Sequence, residues 1–504
     1  MLNLPVTVDG YGAIRAHVPS RATESASRKK AARASKVLPD LDAAISACEL
    51  TDGATVSFHH HLRNGDGVLN RVMDALARRG LKNLHVAATS IFPVHAPLID
   101  HIRSGTVGRI SASFISGPVG EAVSRGLVPE VVVLRTHGGR ARALDTGELV
   151  VDAAFVAAPA ADDLGNVSGR AGKTACGTLG YPMTDVEVAR RVVAVTDSLM
   201  PYPAHPIDIP QGKVDHVVVV DRIGDPNGIA SGTTKPAEDG PSLAIGAQAA
   251  SVIAASGLLT EGFSFQTGAG GISLATAGAV GREMARRQIT GSFCSGGITG
   301  FHVGMLNEGL FRTLMDVQCF DLDAVRSYQR DPRHLSMSAA TYAAPHLGGA
   351  VVDRVDAVVL GATEIDLGFN VNVTTKAGGI VIGGSGGHAD TAAGSRLAII
   401  TTRLTAGGYA KIVPEVGTLT TPGATVDVVV TDAGIAVNPG RADLQDRLKS
   451  AGLPVRRIEE LLAEAAAAAT RPTPPRATDR VVAVSEYRDG TVTDVVRQVE
   501  EAAP

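Results

Sequence analysis

The sequence predicts two tandem, duplicated α/β domains with largely parallel sheets that face one another across a pseudo-twofold interface. Three observations lead there. Short β-branched runs alternate with stretches of helical apolar spacing, the pattern of strand–helix–strand units. Glycine is abundant, at 57 of 504 residues, and clusters directly after those runs, where a chain without Cβ atoms can turn tightly. The two halves also match one another. Thr51 and Thr260 lie 260 − 51 = 209 positions apart, and the pairs Ser57-Phe58 and Ser264-Phe265 lie 264 − 57 = 207 apart. Val151-Asp152-Ala153 falls on Val355-Asp356-Ala357 at 355 − 151 = 204, and the match runs on without a gap to pair Ala158 with Ala362, Asp162 with Asp366, Asn166 with Asn370 and Val167 with Val371. Offsets so close argue for an internal repeat.

A chain of this length exceeds one ordinary core. The expected divisions are an arm over 1–37, a first domain over 38–235, a second over 241–468, and a Pro-rich linker and tail over 469–504. The arm carries Arg28-Lys29-Lys30 and Arg33 without periodicity and reads as solvated. Leu41, Ala44, Ile45 and Cys48 then share one helical face, with Asp40 as N-cap. After the turn Thr51-Asp52-Gly53, residues 55–58 form a strand that ends in His59-His60-His61. A helical stripe follows (Val68, Val72, Met73, Leu76, Ala77), then strands at 84–88, 109–115 and 131–134, the last running into Arg135-Thr-His-Gly-Gly139. A buried strand at 151–157 opens into Asp162-Asp163-Leu-Gly165-Asn166, and residues 217–220 form another. The Gly and Pro density over 224–241 marks a boundary. Beyond it Ile245, Ala249, Val252 and Ile253 restart the cycle, with strands at 263–266 and 289–293. Two apolar runs, 358–360 and 379–382, read as strands around a turn-rich middle; the second feeds Gly383-Gly384-Ser385-Gly386-Gly387-His388. Strands at 397–401 and 426–430 and a helix at 458–468 close the domain, and the tail suggests one strand at 481–484 and a short helix at 491–496.

Composition narrows the function. A formal net charge of −4 gives no electrostatic reason to expect nucleic acid or an anionic membrane as partner. Cys48, Cys176, Cys294 and Cys319 are too scattered for a zinc motif or a disulfide framework. No stretch is apolar for long enough to span a bilayer and the N-terminus lacks a signal-like core, so a cytoplasmic enzyme is expected.

The chemistry-bearing motifs are glycine loops and histidines. Gly268-Ala-Gly270-Gly271 opens a helical stretch like a dinucleotide fingerprint, yet Ser273 stands where the third glycine belongs, and Gly386-Gly387 has Ala389 there. Such loops suit an oxyanion or a carboxylate better than a nicotinamide. His59-His60-His61 with Arg63 is a dense cationic-capable patch, His59 and His61 sharing one face of the strand. A metal there would need a third ligand such as His95, His137 or His388, and no spacing specifies one. Cys294 lacks an identifiable base for nucleophilic work. Glu364 sits at a strand-to-loop transition, as a functional or a structural carboxylate.

Several motifs together resemble the alpha subunits of citrate lyase, within the CoA-transferase superfamily: 55–66 (TVSFHHHLRNGD), 95–98 (HAPL), 174–181 (TACGTLGY), 261–271 (EGFSFQTGAGG), 293–299 (FCSGGIT), 364–373 (EIDLGFNVNV), 385–391 (SGGHADT) and 431–438 (TDAGIAVN). The resemblance implies exchange of acetyl for citrate on an acyl-carrier thioester, through an oxyanion and a mixed anhydride, with release of acetate. It also implies an acyl-carrier (gamma) subunit and a citryl-lyase (beta) subunit as partners in an oligomer, and no resident metal. Under this reading Gly268, Gly270, Gly271, Ser295, Gly296, Gly386 and Gly387 are the expected catalytic set, and His59, His60, Arg63, Gln266, Ser385 and His388 the expected substrate contacts. The malonate decarboxylase alpha subunit and a short-chain acyl-CoA transferase are the alternatives, and a non-catalytic carboxylate sensor is a third. Many CoA transferases carry a nucleophilic glutamate just before a Ser/Asn-Gly pair; here that place reads Cys294-Ser295-Gly296, which fits direct exchange without a glutamyl thioester. His61 and Asn64 depart from the family pattern.

Overall fold

The computed structural model describes residues 5–10, 12–13, 34–59, 61–230, 237–268, 270–472 and 478–500. The basic cluster of the N-terminal arm lies outside them, as does His60.

Eight strands of the first half are β1 (Val37–Leu38), β2 (Thr55–His59), β3 (Leu84–Ala88), β4 (Val107–Ala112), β5 (Val132–Arg135), β6 (Ala153–Ala158), β7 (Arg191–Thr196) and β8 (His216–Val219). The second half contributes β9 (Phe265–Thr267), β10 (Gly291–Ile298), β11 (Phe311–Cys319), β12 (His334–Ser336), β13 (Ala357–Gly361), β14 (Leu397–Thr401), β15 (Val428–Thr431), β16 (Gly434–Val437) and β17 (Val455–Arg456), and the tail adds β18 (Val481–Glu486) and β19 (Val492–Arg497). The helices used below are α1 (Leu41–Ala47), α2 (Val68–Arg78), α3 (His137–Asp145), α4 (Gly240–Ser256), α5 (Gly271–Arg287), α6 (Ala339–Ala343), α7 (His388–Gly394) and α8 (Ile458–Ala468).

Among the described residues the strands form two large sheets. The first runs β1-β8-β7-β6-β2-β3-β4-β5-β18-β19 and the second β12-β11-β10-β9-β13-β14-β15-β16-β17. Pairings are parallel except β18 with β19 and β15 with β16, as expected of strands linked by helices that cover both faces. The stretch β8-β7-β6-β2-β3-β4-β5 recurs as β15-β14-β13-β9-β10-β11-β12, each label raised by seven. Local hydrogen bonds recur with it. The Asp152 carboxylate accepts from the Thr55 amide at 2.8 Å and that of Asp356 from the Ser264 amide at 2.9 Å. Asp162 accepts from the amides of Leu164 and Asn166 and from the Asn166 side chain, as Asp366 does from Gly368 and Asn370.

Helices form where the sequence supplies a cap and an apolar stripe. The Asp40 side chain accepts from the Ala43 amide to start α1, and Asp239 does the same at Ser242 for α4, which ends at Gly257 with a left-handed φ of 85°. Helix α2 buries Val68, Leu69, Val72, Met73, Ala75 and Leu76 against the first sheet. Each of these Val, Leu and Met side chains contributes about 1.5–3 kcal/mol when fully buried, and Phe58 stacking on Phe155 at 5.9 Å joins β2 to β6 in the same core.

Three expectations need correction. Residues 379–382 are not a strand; Val381 crosses to the first half, where its amide donates to Ser124 Oγ at 2.7 Å and its carbonyl abuts Gly120 so closely that a Cβ there would sit 2.5 Å away. That run is apolar because an interface covers it. The tail segment at 491–496 is strand β19 rather than a helix, and β18 lies parallel to β5, so the tail extends the first sheet instead of standing apart. The Ser57-Phe58 match to Ser264-Phe265 is also shifted, because β6 sets Ser57 opposite Ala154 while β13 sets Gln266 opposite Val358.

Candidate active site

The site is built where loops of the first half meet strand ends of the second. Strands β9 and β10 place Gln266 beside Ser295, and the Ser295 hydroxyl donates to Gln266 Oε1 at 2.8 Å. The other end of that amide, Nε2, donates to the Tyr342 hydroxyl at 2.7 Å. Gly296, at φ 94°, lies against the Gln266 side chain, and a Cβ there would come within 2.8 Å of Nε2. A Cβ on Gly387 would come within 2.7 Å of the Tyr342 oxygen. Both glycines are therefore required by close packing around one phenol.

The first half delivers His137 to the same place. Thr136 caps α3, and the His137 amide donates to the Gly386 carbonyl at 2.8 Å, while the Gly386 amide donates to the Ser113 carbonyl at 3.0 Å. His137 Nε2 lies 2.9 Å from the Tyr181 hydroxyl. Burial, with Arg140 nearby, pushes the imidazole down to about 3, so it is neutral at ordinary pH. Its Nδ1 has no hydrogen-bond partner among the described residues, nor does the Ser113 hydroxyl. Buried polar atoms are ordinarily satisfied, so these two are candidates for contact with a ligand. With Tyr181 donating to Nε2, the Nδ1–H is left to give. Burial raises the phenols of Tyr181 and Tyr342 well above their usual values, and both stay protonated.

Arg63 supplies the cation. It sits in the left-handed region at φ 53°, with its guanidinium 4.4 Å from the Phe320 ring and 5.4 Å from that of Phe92, one ring from each half. Burial lowers its value to about 10, which leaves it charged at neutral pH, and Tyr181 is among its electrostatic neighbours. His61 packs on Tyr181 with ring centroids 5.6 Å apart.

The structure thus gathers Gln266, Ser295, Gly296, Gly387 and Arg63 from the expected set, and Ser385 is buried at the foot of the same loop. Others fall elsewhere. His59 is a core residue: Nδ1 meets Thr89 Oγ1 at 2.6 Å and Nε2 lies 2.8 Å from Asp185, whose carboxylate also takes a two-pronged contact from Arg140. Burial opposes the charge on Asp185, but Arg140 and His59 outweigh it and hold the carboxyl far below its usual range. His388 is committed as well, donating through Nε2 to the Gly361 carbonyl and meeting Thr421 through Nδ1. Neither histidine has a ring nitrogen left for substrate. The amides of Gly268 and Gly386 are used by Val359 and Ser113, so neither is available to an oxyanion. Gly270 caps α5, Gly271 begins it, and Gly270 has Ser273 as its near neighbour rather than either tyrosine. The Gly387 amide, by contrast, has no protein acceptor among the described residues.

Two further candidates are structural. Glu364 accepts from Asn372 and from the Gly417 amide, both at 2.8 Å, and the Cys294 thiol is wholly buried and pushed well above its usual value. Asp316, Cys319 and His334 lie close enough to hold a metal ion, yet they already satisfy one another: the thiol and the imidazole each approach one Asp316 oxygen at 3.0 Å. His137, Tyr181 and Tyr342 escaped the sequence reading as a unit. Their signals were the Arg135-Thr-His-Gly-Gly139 stretch after a strand and the tyrosine that ends TACGTLGY.

The family described as citrate lyase, alpha subunit (CitF) matches residues 34–499. The citrate lyase alpha chain of Klebsiella pneumoniae is 45% identical over 499 residues, 99% of this chain and 97% of that one. A solved structure from Streptococcus mutans, assigned as the alpha subunit of citrate lyase and holding citrate, is 43% identical with a TM-score of 0.91, covering 99% of each chain. A Pseudomonas malonate decarboxylase hetero-tetramer solved with malonate has a chain 17% identical at a TM-score of 0.63, covering 90% of this chain and 97% of that one, which is a likeness of fold alone. The chain belongs to the citrate lyase alpha-subunit family.

Proposed function

We propose that this chain exchanges the acetyl group of an acyl-carrier thioester for citrate, leaving a citryl thioester and free acetate. The observation that carries the reading is the citrate-bound Streptococcus mutans structure, which matches this chain over 99% of its length, together with a buried cluster here in which His137 Nδ1 and the Gly387 amide suit a carboxylate. A citrate carboxylate oxygen attacks the thioester carbonyl, and the tetrahedral oxyanion collapses to a mixed anhydride and a thiolate. The thiolate then attacks the citryl carbonyl of the anhydride, and acetate leaves with the bridging oxygen. No proton is consumed overall, so the protein's task is to hold charge. Tyr342 O–H, oriented by Gln266 and Ser295, and the Gly387 amide are the donors for the oxyanion; one such donor is typically worth about 3–4 kcal/mol. Arg63 and His137 Nδ1–H hold citrate carboxylates. The relatives are named as subunits of citrate lyase, and the carrier and citryl-lyase subunits are the partners this chemistry requires. Among the described residues no helix is long and apolar enough to cross a membrane.

The test incubates the purified chain with acetyl-CoA as surrogate donor and a panel of di- and tricarboxylates. Acetate release is expected with citrate, and no glutamate should be trapped by borohydride or hydroxylamine. Faster release with malonate than with citrate, or none with either, overturns the assignment.

A further inference from the structure

We propose that Arg488, at the tip of the C-terminal hairpin, is a positioning residue that clamps Asp390 and through it fixes the Thr136–Gly138 turn carrying His137. The tail reaches the site by two routes. Strand β18 lies alongside β5 with Glu486 opposite Arg135, and Arg135 Nε donates to Glu486 Oε1 at 2.9 Å, just before the turn. Past Glu486, the Tyr487 carbonyl lies so near Gly139 that a Cβ there would sit 3.0 Å from it. Arg488 then points between the halves: Nη2 donates to the Ala343 carbonyl at the end of α6 at 3.2 Å, Nη1 lies 3.7 Å from Asp353, and Nε lies 3.7 Å from Asp390.

Asp390, on α7, is wholly buried. One oxygen accepts from the Thr136 hydroxyl at 2.9 Å and the other from the Gly138 amide at 3.0 Å. Thr136 also accepts from the Gly139 amide at 2.8 Å, so a carboxylate of one half completes the cap of a helix in the other. Gly138 is tied to this arrangement, because a Cβ on it would lie 2.6 Å from Asp390 and 2.1 Å from the Ala343 carbonyl.

A buried carboxylate needs a compensating charge. The groups facing Asp390 from the packed elements are His137, Tyr181, Tyr342, Tyr487 and Arg488; the phenols stay protonated, and His137 is neutral. Arg140 is engaged by Asp185, and His388 on Asp390's own helix is tied to Gly361 and Thr421. Among the described residues Arg488 is the cation left to offset the burial, which raises the Asp390 carboxyl to about 6 even with the Gly138 amide, Arg488, the Thr136 hydroxyl and the His137 amide opposing it. A value raised above that of the unfolded chain means that this group's contribution to stability is complete at low pH and is lost as pH rises through about 6. The ionised form therefore persists at neutrality only under restraint, and without Arg488 it takes a proton and gives up part of its hold on Thr136 and Gly138.

The test uses the full-length chain with Arg488→Met and Arg488→Lys, and its kinetic arm rests on the citrate-exchange reading. In Arg488→Met, hydrogen exchange at the Gly138 and Gly139 amides at pH 7 should quicken about tenfold, and the acid limb of kcat/KM for citrate should move up by about one pH unit. Arg488→Lys should restore both in large part. Unchanged protection and an unchanged acid limb in Arg488→Met, or a lysine variant that behaves like the methionine one, overturn the proposal. If the native chain transfers no acyl group, the function reading fails and the amide exchange alone decides this one.

Discussion

The two halves differ at one matched place. In the first sheet Ser57 on β2 lies opposite Ala87 on β3; in the second, Gln266 on β9 lies opposite Ser295 on β10. The surrounding frame is shared, down to the aspartate that accepts from the start of each strand. Yet the Ser57 hydroxyl is buried with no hydrogen-bond partner among the described residues, while Gln266 and Ser295 form a hydrogen-bonded chain that ends on Tyr342. One scaffold thus supports two uses of the same strand ends. In the second half they carry polar groups toward the interface; in the first the polar His59 is tied into the core by Thr89 and Asp185, and the loop after β5 reaches over instead with His137. The difference teaches that function here is divided by element rather than by half.

The strongest way to break the comparison is to remove the end of the Gln266 chain. Tyr342→Phe keeps the ring and deletes the oxygen, and citrate-dependent acetate release should fall about 10²–10³-fold. Thermal unfolding should shift by only a few degrees, about what a lost hydrogen bond near 1 kcal/mol produces in a large chain. A loss of activity matched by collapse of the fold would place Tyr342 in the scaffold instead. A smaller effect is expected from making the second half imitate the first. Gln266→Ser with Ser295→Ala recreates the Ser57–Ala87 pair, leaving Tyr342 in place but unoriented. Release should drop about tenfold, the effect of roughly 1.4 kcal/mol, as expected for an orienting hydrogen bond. Activity equal to that of the unaltered chain would show that Tyr342 is held by its helix alone.

Much of the frame was legible. Strands β3 and β14 and helix α8 begin and end where the apolar pattern sets them, because long periodic segments bury one face and declare it. The Ser57-Phe58 register was misread by two residues for a physical reason: a two-residue slip in a strand keeps every side chain on its face, so alternation cannot exclude it. The β-branched tail segment read as a helix became strand β19 because it pairs with β18, which itself lies along the edge of β5 far away in sequence. The site was harder. His59 and His388 carry the composition of ligands, but Asp185, Gly361 and Thr421, which engage them, lie 27 or more positions away. His137, Tyr181 and Tyr342 come from three segments without a shared motif; His137 meets Tyr181 directly, and the loop of Gly386 and Gly387 packs against His137 and Tyr342.

The smallest expected effect tests the silent side of the comparison. Ser57 is fully buried and its hydroxyl has no hydrogen-bond partner among the described residues. Removing an unsatisfied buried hydroxyl takes away a desolvation penalty and opens a void of only one atom, so the two contributions oppose each other. Ser57→Ala should therefore be neutral or more stable by up to about 1 kcal/mol, read as an unchanged or slightly raised denaturation midpoint. Citrate exchange should be unaffected. A marked loss of either would mean that the Ser57 oxygen serves β2 as Gln266 serves β9, and the division of labour between the halves would have to be abandoned.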